Sequence, residues 1–173
     1  MSAPASLKEV YTDEIKDLWS ANDQMVKALT TLNEGVHDAK LKKHFTESLA
    51  GIGRHNEILM GLLKDAGEEV EKEHCKGMEG LCKEALKHGV KEAPEDGELK
   101  DIVIIGQYQR MCHYGITGFG SAKAIAKALG MKDHVTKLEN IVGDIYGADG
   151  VTSKMGEKLA KAAAKPAAAK TGT

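Results

Sequence analysis

Between Ile105 and Leu129 the residues Ile105, Tyr108, Cys112, Gly115, Phe119, Ala122, Ala126 and Leu129 recur in alternating steps of three and four. On a helix this spacing draws one continuous stripe, which must be buried along its whole length against other helices. The stripe runs straight through Gln109-Arg110-Met111-Cys112-His113-Tyr114-Gly115-Ile116-Thr117-Gly118-Phe119-Gly120, a stretch that holds three glycines. Each interior glycine costs a helix about 1 kcal/mol relative to alanine. Glycines at such positions imply either a closely approaching neighbour or empty space.

Three more segments carry the same period. Leu7 to about Asn33 forms a first helix, with Ser6 as N-cap, Glu9 as its capping-box partner, and a seam of Leu18, Asn22, Met25, Leu29 and Leu32. A polar Asn22 thus sits in the middle of an apolar seam. After a turn at residues 35–38, a second helix from about Ala39 to Asp65 presents Phe45, Leu49, Ile52, Leu59 and Leu63, with His44, Ser48, Gly51 and His55 beside that stripe. A shorter amphipathic helix, about Glu73 to His88, and a connection containing Pro94 and Gly97 lead into the third long helix, about Glu98 to Leu129. The fourth starts near Lys132 and turns Leu138, Val142, Ile145 and Thr152 inward.

These elements predict an all-α, up-and-down four-helix bundle with a short extra helix between helices 2 and 3. Composition agrees: aromatics are 4% of the 173 residues, so Leu, Ile, Val, Met and Ala must build the core, which favours helices over a sandwich or barrel. The bundle is assigned to residues 1–156 and a Lys/Ala/Pro-rich disordered tail to 157–173. The last twenty residues carry +4 and the remainder −6. The tail is read chiefly as a solubilising terminus, with weak, salt-sensitive and sequence-blind DNA binding as its functional alternative.

The N-terminus lacks the basic and apolar regions of a leader, and no apolar run approaches membrane-spanning length, so a cytoplasmic protein with no membrane partner is expected. Cys75, Cys82 and Cys112 are an odd number without a C-x-x-C pair, which fits reduced thiols. Cys112 is expected to be a buried, inert thiol; its neighbour His113 projects about 100° away and cannot serve it as a base. His44 and His55, with His113 or Met111, are candidate haem or soft-metal donors, although solvated or hydrogen-bonded histidines are the plainer reading and covalent haem attachment lacks its motif.

Gly143, Gly147 and Gly150 form a separate stripe, expected to contact a neighbouring helix or subunit. Gly51, Gly53, Gly115 and Gly118 form another group, of which Gly51 and Gly115 fall on or beside inward seams, and are read either as packing sites or as the walls of a cavity between the four helices.

Three segments together resemble a known family. Asp17-Leu18-Trp19-Ser20-Ala21-Asn22-Asp23-Gln24-Met25-Val26-Lys27-Ala28-Leu29, Cys75-Lys76-Gly77-Met78-Glu79-Gly80-Leu81-Cys82-Lys83-Glu84-Ala85 and Cys112-His113-Tyr114-Gly115-Ile116-Thr117-Gly118-Phe119-Gly120 are similar to the ferritin-like stress proteins typified by YciE and YciF. The resemblance spans about residues 7–155. It implies a ferritin-like bundle, a homodimer, a link to stress responses, and carboxylates with a histidine arranged for a dinuclear metal centre.

This sequence departs from that donor pattern on every long helix. The first-helix Ala-Glu-x-Gln becomes Ala21-Asn22-Asp23-Gln24, and the second-helix glutamates fall on Ala50 and Gly51. The third-helix Glu-His-Tyr-Glu becomes Cys112-His113-Tyr114-Gly115, and the fourth-helix Glu-Glu and following Asp fall on Asp144, Ile145 and Asp149. A dinuclear iron or manganese centre needs several hard oxygen donors, so metal-dependent chemistry of the family type is disfavoured and neither catalytic nor metal-binding residues are assigned. The expected function is binding of a small apolar or planar ligand in the bundle interior by Asn22, Gly51, His55, Cys112, His113 and Gly115. The alternative is a manganese or iron redox enzyme built from the displaced donors Glu14, Glu47, His44, Asp144 and Asp149. The sequence names neither the ligand nor a cofactor.

Overall fold

The computed structural model describes residues 3–71 and 73–164, and these are helical almost throughout. Helix α1 spans Leu7–Glu34, α2 Ala39–Asp65, α3 Lys76–Leu86, α4 Gly97–Ala128 and α5 Lys132–Ala163, with a π-helical turn at Lys87–Lys91 after α3. The helix starts follow local chemistry. The Ser6 side chain accepts from the Glu9 N–H while the Glu9 carboxylate accepts from the Ala5 N–H, and the Asp38 and Asp96 carboxylates cap α2 and α4 by accepting first-turn N–H groups. Gly67 and Gly130, at φ of 76° and 73°, end α2 and α4 in the left-handed conformation that glycine adopts without a Cβ penalty.

The four long helices pair as α1 with α2 and α4 with α5, and α1 also packs along α4. Most of the expected seam positions are buried: Leu18, Leu29, Leu32, Phe45, Leu59, Leu63, Phe119, Ala122, Ala126 and Leu138 are essentially inaccessible to solvent, whereas Leu49, Leu129, Val142 and Ile145 are only partly buried. Helix α3 lies across α1 and α4 and seals their outer groove. Its start is tied down by the Cys75 N–H donating to Ser20 Oγ at 3.0 Å and by Gln24 Nε2 donating to the Cys75 carbonyl at 3.0 Å. The Tyr114 hydroxyl of α4 donates to Asp17 Oδ2 of α1 at 2.9 Å and lies 2.9 Å from Cys75 Sγ. A Cβ at Gly77 would meet that tyrosine ring at 2.9 Å, so this glycine is required for α3 to dock.

At one end of the bundle, buried Asp101 of α4 accepts from the backbone N–H groups of His37 and Asp38, at 2.9 and 2.7 Å. The α1–α2 turn is therefore clamped by a residue far along the chain.

Two sequence boundaries shift. The short helix starts at Lys76 and ends in a π turn rather than running from 73 to 88, because Cys75 caps it through a side-chain sulfur that accepts from the Met78 N–H. Helix α5 continues through Ala163, so the tail assigned from 157 begins inside a helix; Ala-rich sequence with lysines spaced along it propagates helix well. Residues 165–173, with the rest of the predicted tail, lie outside the described residues.

Candidate functional site

The apolar interior is split into two clusters. One, around Tyr11, Ile15, Leu59, Leu62, Leu63, Phe119, Leu138 and Ile141, fills the end of the bundle where α4 turns into α5. The other, around Met25, Leu29, Leu32, Phe45, Ile105, Tyr108 and Met111, fills the opposite half together with α3. Between them lies a cavity of about 300 Å³. Its walls come from Leu18, Ala21, Asn22 and Met25 of α1, Met78 of α3, and Tyr108, Met111, Cys112, Tyr114 and Gly115 of α4; α2 and α5 complete the enclosure.

The way in follows from exposure. Every α1, α3 and α4 lining residue is buried apart from the half-buried Tyr114. The exposed lining residues, Glu47, Arg54, Asp144, Gly147 and Val151, all belong to α2 or α5. The mouth therefore opens between α2 and α5, opposite the wall that α3 seals. A Cβ at Gly51 would meet only the Arg54 guanidinium, at 3.7 Å, and a Cβ at Gly147 would meet nothing within 4 Å. Gly115 is deeper, with Ile145 Cδ1 3.4 Å from the position its Cβ would take.

Polar groups around the cavity are mostly satisfied by each other. His55 Nε2 lies 3.1 Å from Asp144 Oδ2, spanning the mouth from α2 to α5. Burial holds His55 below the usual histidine range, against the opposing pull of Asp144. His44 Nε2 is 2.9 Å from Thr152 Oγ1 and 3.2 Å from the Ala148 carbonyl, and that Thr152 hydroxyl already donates to the same carbonyl, so His44 carries its proton on Nε2. The Tyr108 hydroxyl donates to Ser48 Oγ at 3.0 Å. Burial pushes the Cys112 thiol up to about 12, which keeps it protonated and unreactive at neutral pH.

One polar group is left over. Asn22 is 7% exposed and lines the cavity, and its Nδ2, itself covered by the surrounding atoms, has no hydrogen-bond acceptor among the described residues. An orphaned buried donor costs on the order of 1–3 kcal/mol.

Five of the six residues predicted to form the site meet here: Asn22, Gly51, His55, Cys112 and Gly115. His113 does not. Its side chain is 64% exposed and reaches Asp149 Oδ2 at 3.3 Å on the outer face, because the residue after a seam position points away from the seam. The four glycines grouped from sequence also separate. Gly118 packs against Leu18, whose Cδ2 lies 2.6 Å from the position of an added Cβ, while Gly53 looks into open space. The Gly143, Gly147 and Gly150 stripe meets no other helix among the described residues, since nothing lies within 4 Å of a Cβ at any of them.

Met78, Met111 and Ser48 were absent from the predicted set. Met111 and Ser48 were legible as helix positions near the seam. Met78 was not, because its place depends on how α3 docks.

The resemblance to dinuclear-metal bundles can be tested on these donors. Asp144 faces His55; Asp149 accepts from Gln109 Nε2 at 3.0 Å and faces His113; Glu47 pairs with Lys43 on the surface; Glu14 lies beside Gly118. Among the described residues no three His, Cys, Asp or Glu side chains are grouped to hold an ion. This donor set does not fit a dinuclear iron or manganese centre.

A bundle of four long helices with a short helix docked across one groove and a central chamber is of the ferritin-like class. The chain belongs to the family described as "Domain of unknown function (DUF892)", which it matches over residues 6–165. It is 27% identical over 148 residues to Protein YciF of Escherichia coli strain K12, covering 83% of this chain and 86% of that protein. The crystal structure of the E. coli stress protein YciF superposes with a TM-score of 0.85 at 23% identity, over 91% of this chain and 99% of that one. YcfI from Rhodopseudomonas palustris superposes with a TM-score of 0.81 at 25% identity, over 86% and 93%. A two-domain protein from Anabaena variabilis containing DJ-1/ThiJ/PfpI-like and ferritin-like domains shares the fold at a TM-score of 0.62 and 17% identity; this chain spans 42% of it. No helix among the described residues is long and apolar enough to cross a membrane.

Proposed function

We propose that this protein is a stress-associated, ferritin-like member of its family whose bundle interior binds a small apolar or planar ligand in place of a metal centre. The observation that carries this reading is the cavity itself. Its volume of about 300 Å³ lies where the resemblance would put carboxylates, and it is bounded by Asn22, Gly51, Cys112 and Gly115 instead. Close-packed interiors seldom keep such a void, and an apolar cavity of roughly 150 Å³ is enough to admit benzene. Helical glycine at position 51 sacrifices about 1 kcal/mol of stability relative to alanine, and the return for that loss is an open mouth.

The test is a calorimetric titration with naphthalene. Saturable binding near one molecule per chain is expected, and Gly51→Leu should abolish it while leaving the unfolding midpoint unchanged or raised, since a side chain there enters open space. Absence of saturable binding, or binding indifferent to Gly51→Leu, would overturn the reading.

A further inference from the structure

The chain carries only two arginines, and neither forms an ion pair or a hydrogen bond among the described residues. Arg54 stands at the mouth of the central cavity, and Arg110 lines a separate groove of about 740 Å³. Val103, Gly106, Gln107 and Arg110 supply one wall of that groove, from the face of α4 turned away from its buried seam. The other wall is Leu81 and Glu84 of α3, His88 of the π-helical turn, and Glu92 and Pro94 beyond it. The turn sits directly on α1 and α4, since a Cβ at Gly89 would lie 2.5 Å from Leu32 Cδ2 and 3.2 Å from Ile104 Cγ1. This wall is therefore fixed in place, and π-helical turns are found disproportionately at functional sites.

We infer that this groove is a second binding site, independent of the central cavity, for a small organic monocarboxylate with an apolar body. The carboxylate sits on the Arg110 guanidinium and the Gln107 amide, and the body lies against Leu81, Pro94, Ile102 and Val103. Gln107 is the first support. It is 6% exposed although it lies on the outer face of α4, because α3 and the π turn cover it. Its amide has no hydrogen-bond partner among the described residues, yet neither its oxygen nor its nitrogen is sealed off, so a molecule in the groove can reach both. The second support is the pairing with Arg110, three residues on and so beside it on the helix surface; a guanidinium fork matches a carboxylate bidentately. The third is that the acids opposite are already engaged. His88 Nε2 lies 3.1 Å from Glu84 Oε2 and its Nδ1 3.9 Å from Glu92 Oε2, which Lys87 Nζ also approaches at 4.0 Å. Arg110 is thus the one unpaired charge of the lining, and a single cation facing two carboxylates suits a monoanion better than a phosphate dianion. Room is left by Gly106, where a Cβ would meet nothing within 4 Å.

The experiment titrates para-fluorobenzoate and para-fluoronitrobenzene, which share a shape and differ in charge, into the full-length protein. The fluorine resonance of each probe and the side-chain amide resonances of Gln107 in nitrogen-labelled protein are followed together. Saturable binding of the benzoate is expected, at least about tenfold tighter than that of the nitro compound, with the Gln107 signals moving along the same curve. Arg110→Met should remove the preference; the residue is exposed, so the fold does not depend on it. Gly106→Leu, which puts a side chain into the groove, should abolish benzoate binding, whereas Gly51→Leu, which blocks only the central cavity, should leave it unchanged. No saturable binding, equal binding of the two probes, a preference that survives Arg110→Met, or loss of benzoate binding in Gly51→Leu would each overturn the second site. None of these outcomes decides the naphthalene test of the central cavity.

Discussion

Gly115 and Gly118 stand one turn apart on the same helix and do opposite work. At Gly118 the neighbouring helix comes so close that a Cβ would lie 2.6 Å from Leu18 Cδ2; at Gly115 the nearest atom is 3.4 Å away and the cavity opens beside it. One glycine allows α1 and α4 to touch, and the other keeps them from filling the space beyond. The same contrast holds for the two regions they belong to. The end of the bundle around Phe119, Leu59 and Leu138 is closed on every side, whereas the middle keeps a cavity open beside Asn22, Gly51 and Gly115. Identical residue types at helical spacing thus carry no fixed meaning. What decides is the size of the side chain that the opposing helix brings to that level: Leu18 opposite Gly118, and near Gly115 only the tip of Ile145.

The contrast can be broken most forcefully at Phe119, which is fully buried and stacks edge-on near His55 with ring centroids 6.3 Å apart. Phe119→Ala should lower unfolding free energy by about 3–5 kcal/mol in urea titrations, the cost of a large cavity in a closed core. A loss below about 1 kcal/mol would mean that this end is no better packed than the middle. Next in size, Gly118→Ala should destabilise by about 1–3 kcal/mol through overpacking. Leu18 also borders the cavity, so its displacement should weaken naphthalene binding at the same time. Gly115→Ala should act in the other direction, neutral or stabilising by up to about 1 kcal/mol, since its Cβ would make an ordinary contact and the helix gains propensity. Equal signs at positions 115 and 118 would erase the distinction drawn here.

The smallest effect is on pH dependence. Burial lowers the pKa of His55, in the open region, and of His134, in the closed one, where Tyr11 OH lies 2.8 Å from its Nδ1 and Asp65 and Lys137 stand nearby. The unfolded chain, with histidines near the ordinary value of about 6.5, takes up protons before the folded one does. Stability is therefore complete above that value, falls as pH drops through it, and levels off below the folded-state values. The melting temperature should decline between about pH 7 and pH 5, and His134→Gln should flatten part of the decline. A melting temperature constant over this interval would contradict the shifts.

The fold was legible because each long helix carries its seam openly. Leu18 to Leu32, Phe45 to Leu63 and Ile105 to Ala126 are buried as their spacing requires, apart from the half-buried Leu49. Part of the cavity lining was legible for a related reason: Asn22, Cys112 and Gly115 fall on those seams, and Gly51 beside one, where larger apolar side chains would be expected. Two things were not written locally. His113 entered the predicted site as the histidine retained from the resembling donor pattern, but it follows a seam position by one residue, and the structure turns it outward to Asp149. The docking of α3 depends on Tyr114, Asp17, Ser20 and Gln24 meeting Cys75 from two other helices, and so Met78 could not be placed.

The clamp at Asp101 has a geometric consequence for the cavity. A two-helix hairpin can slide along its own axis unless its turn is pinned, and here both oxygens of a single carboxylate grip consecutive amides of that turn from the first turns of α4. The level at which Asn22 of α1 faces Gly51 of α2, and at which both face Cys112, is thus indexed to one reference point at the end of the bundle, about eleven residues of helix rise, or roughly 16 Å, from Cys112 itself. Asp101 behaves as the zero mark of a ruler: it touches nothing in the chamber, yet it sets where the chamber's walls line up.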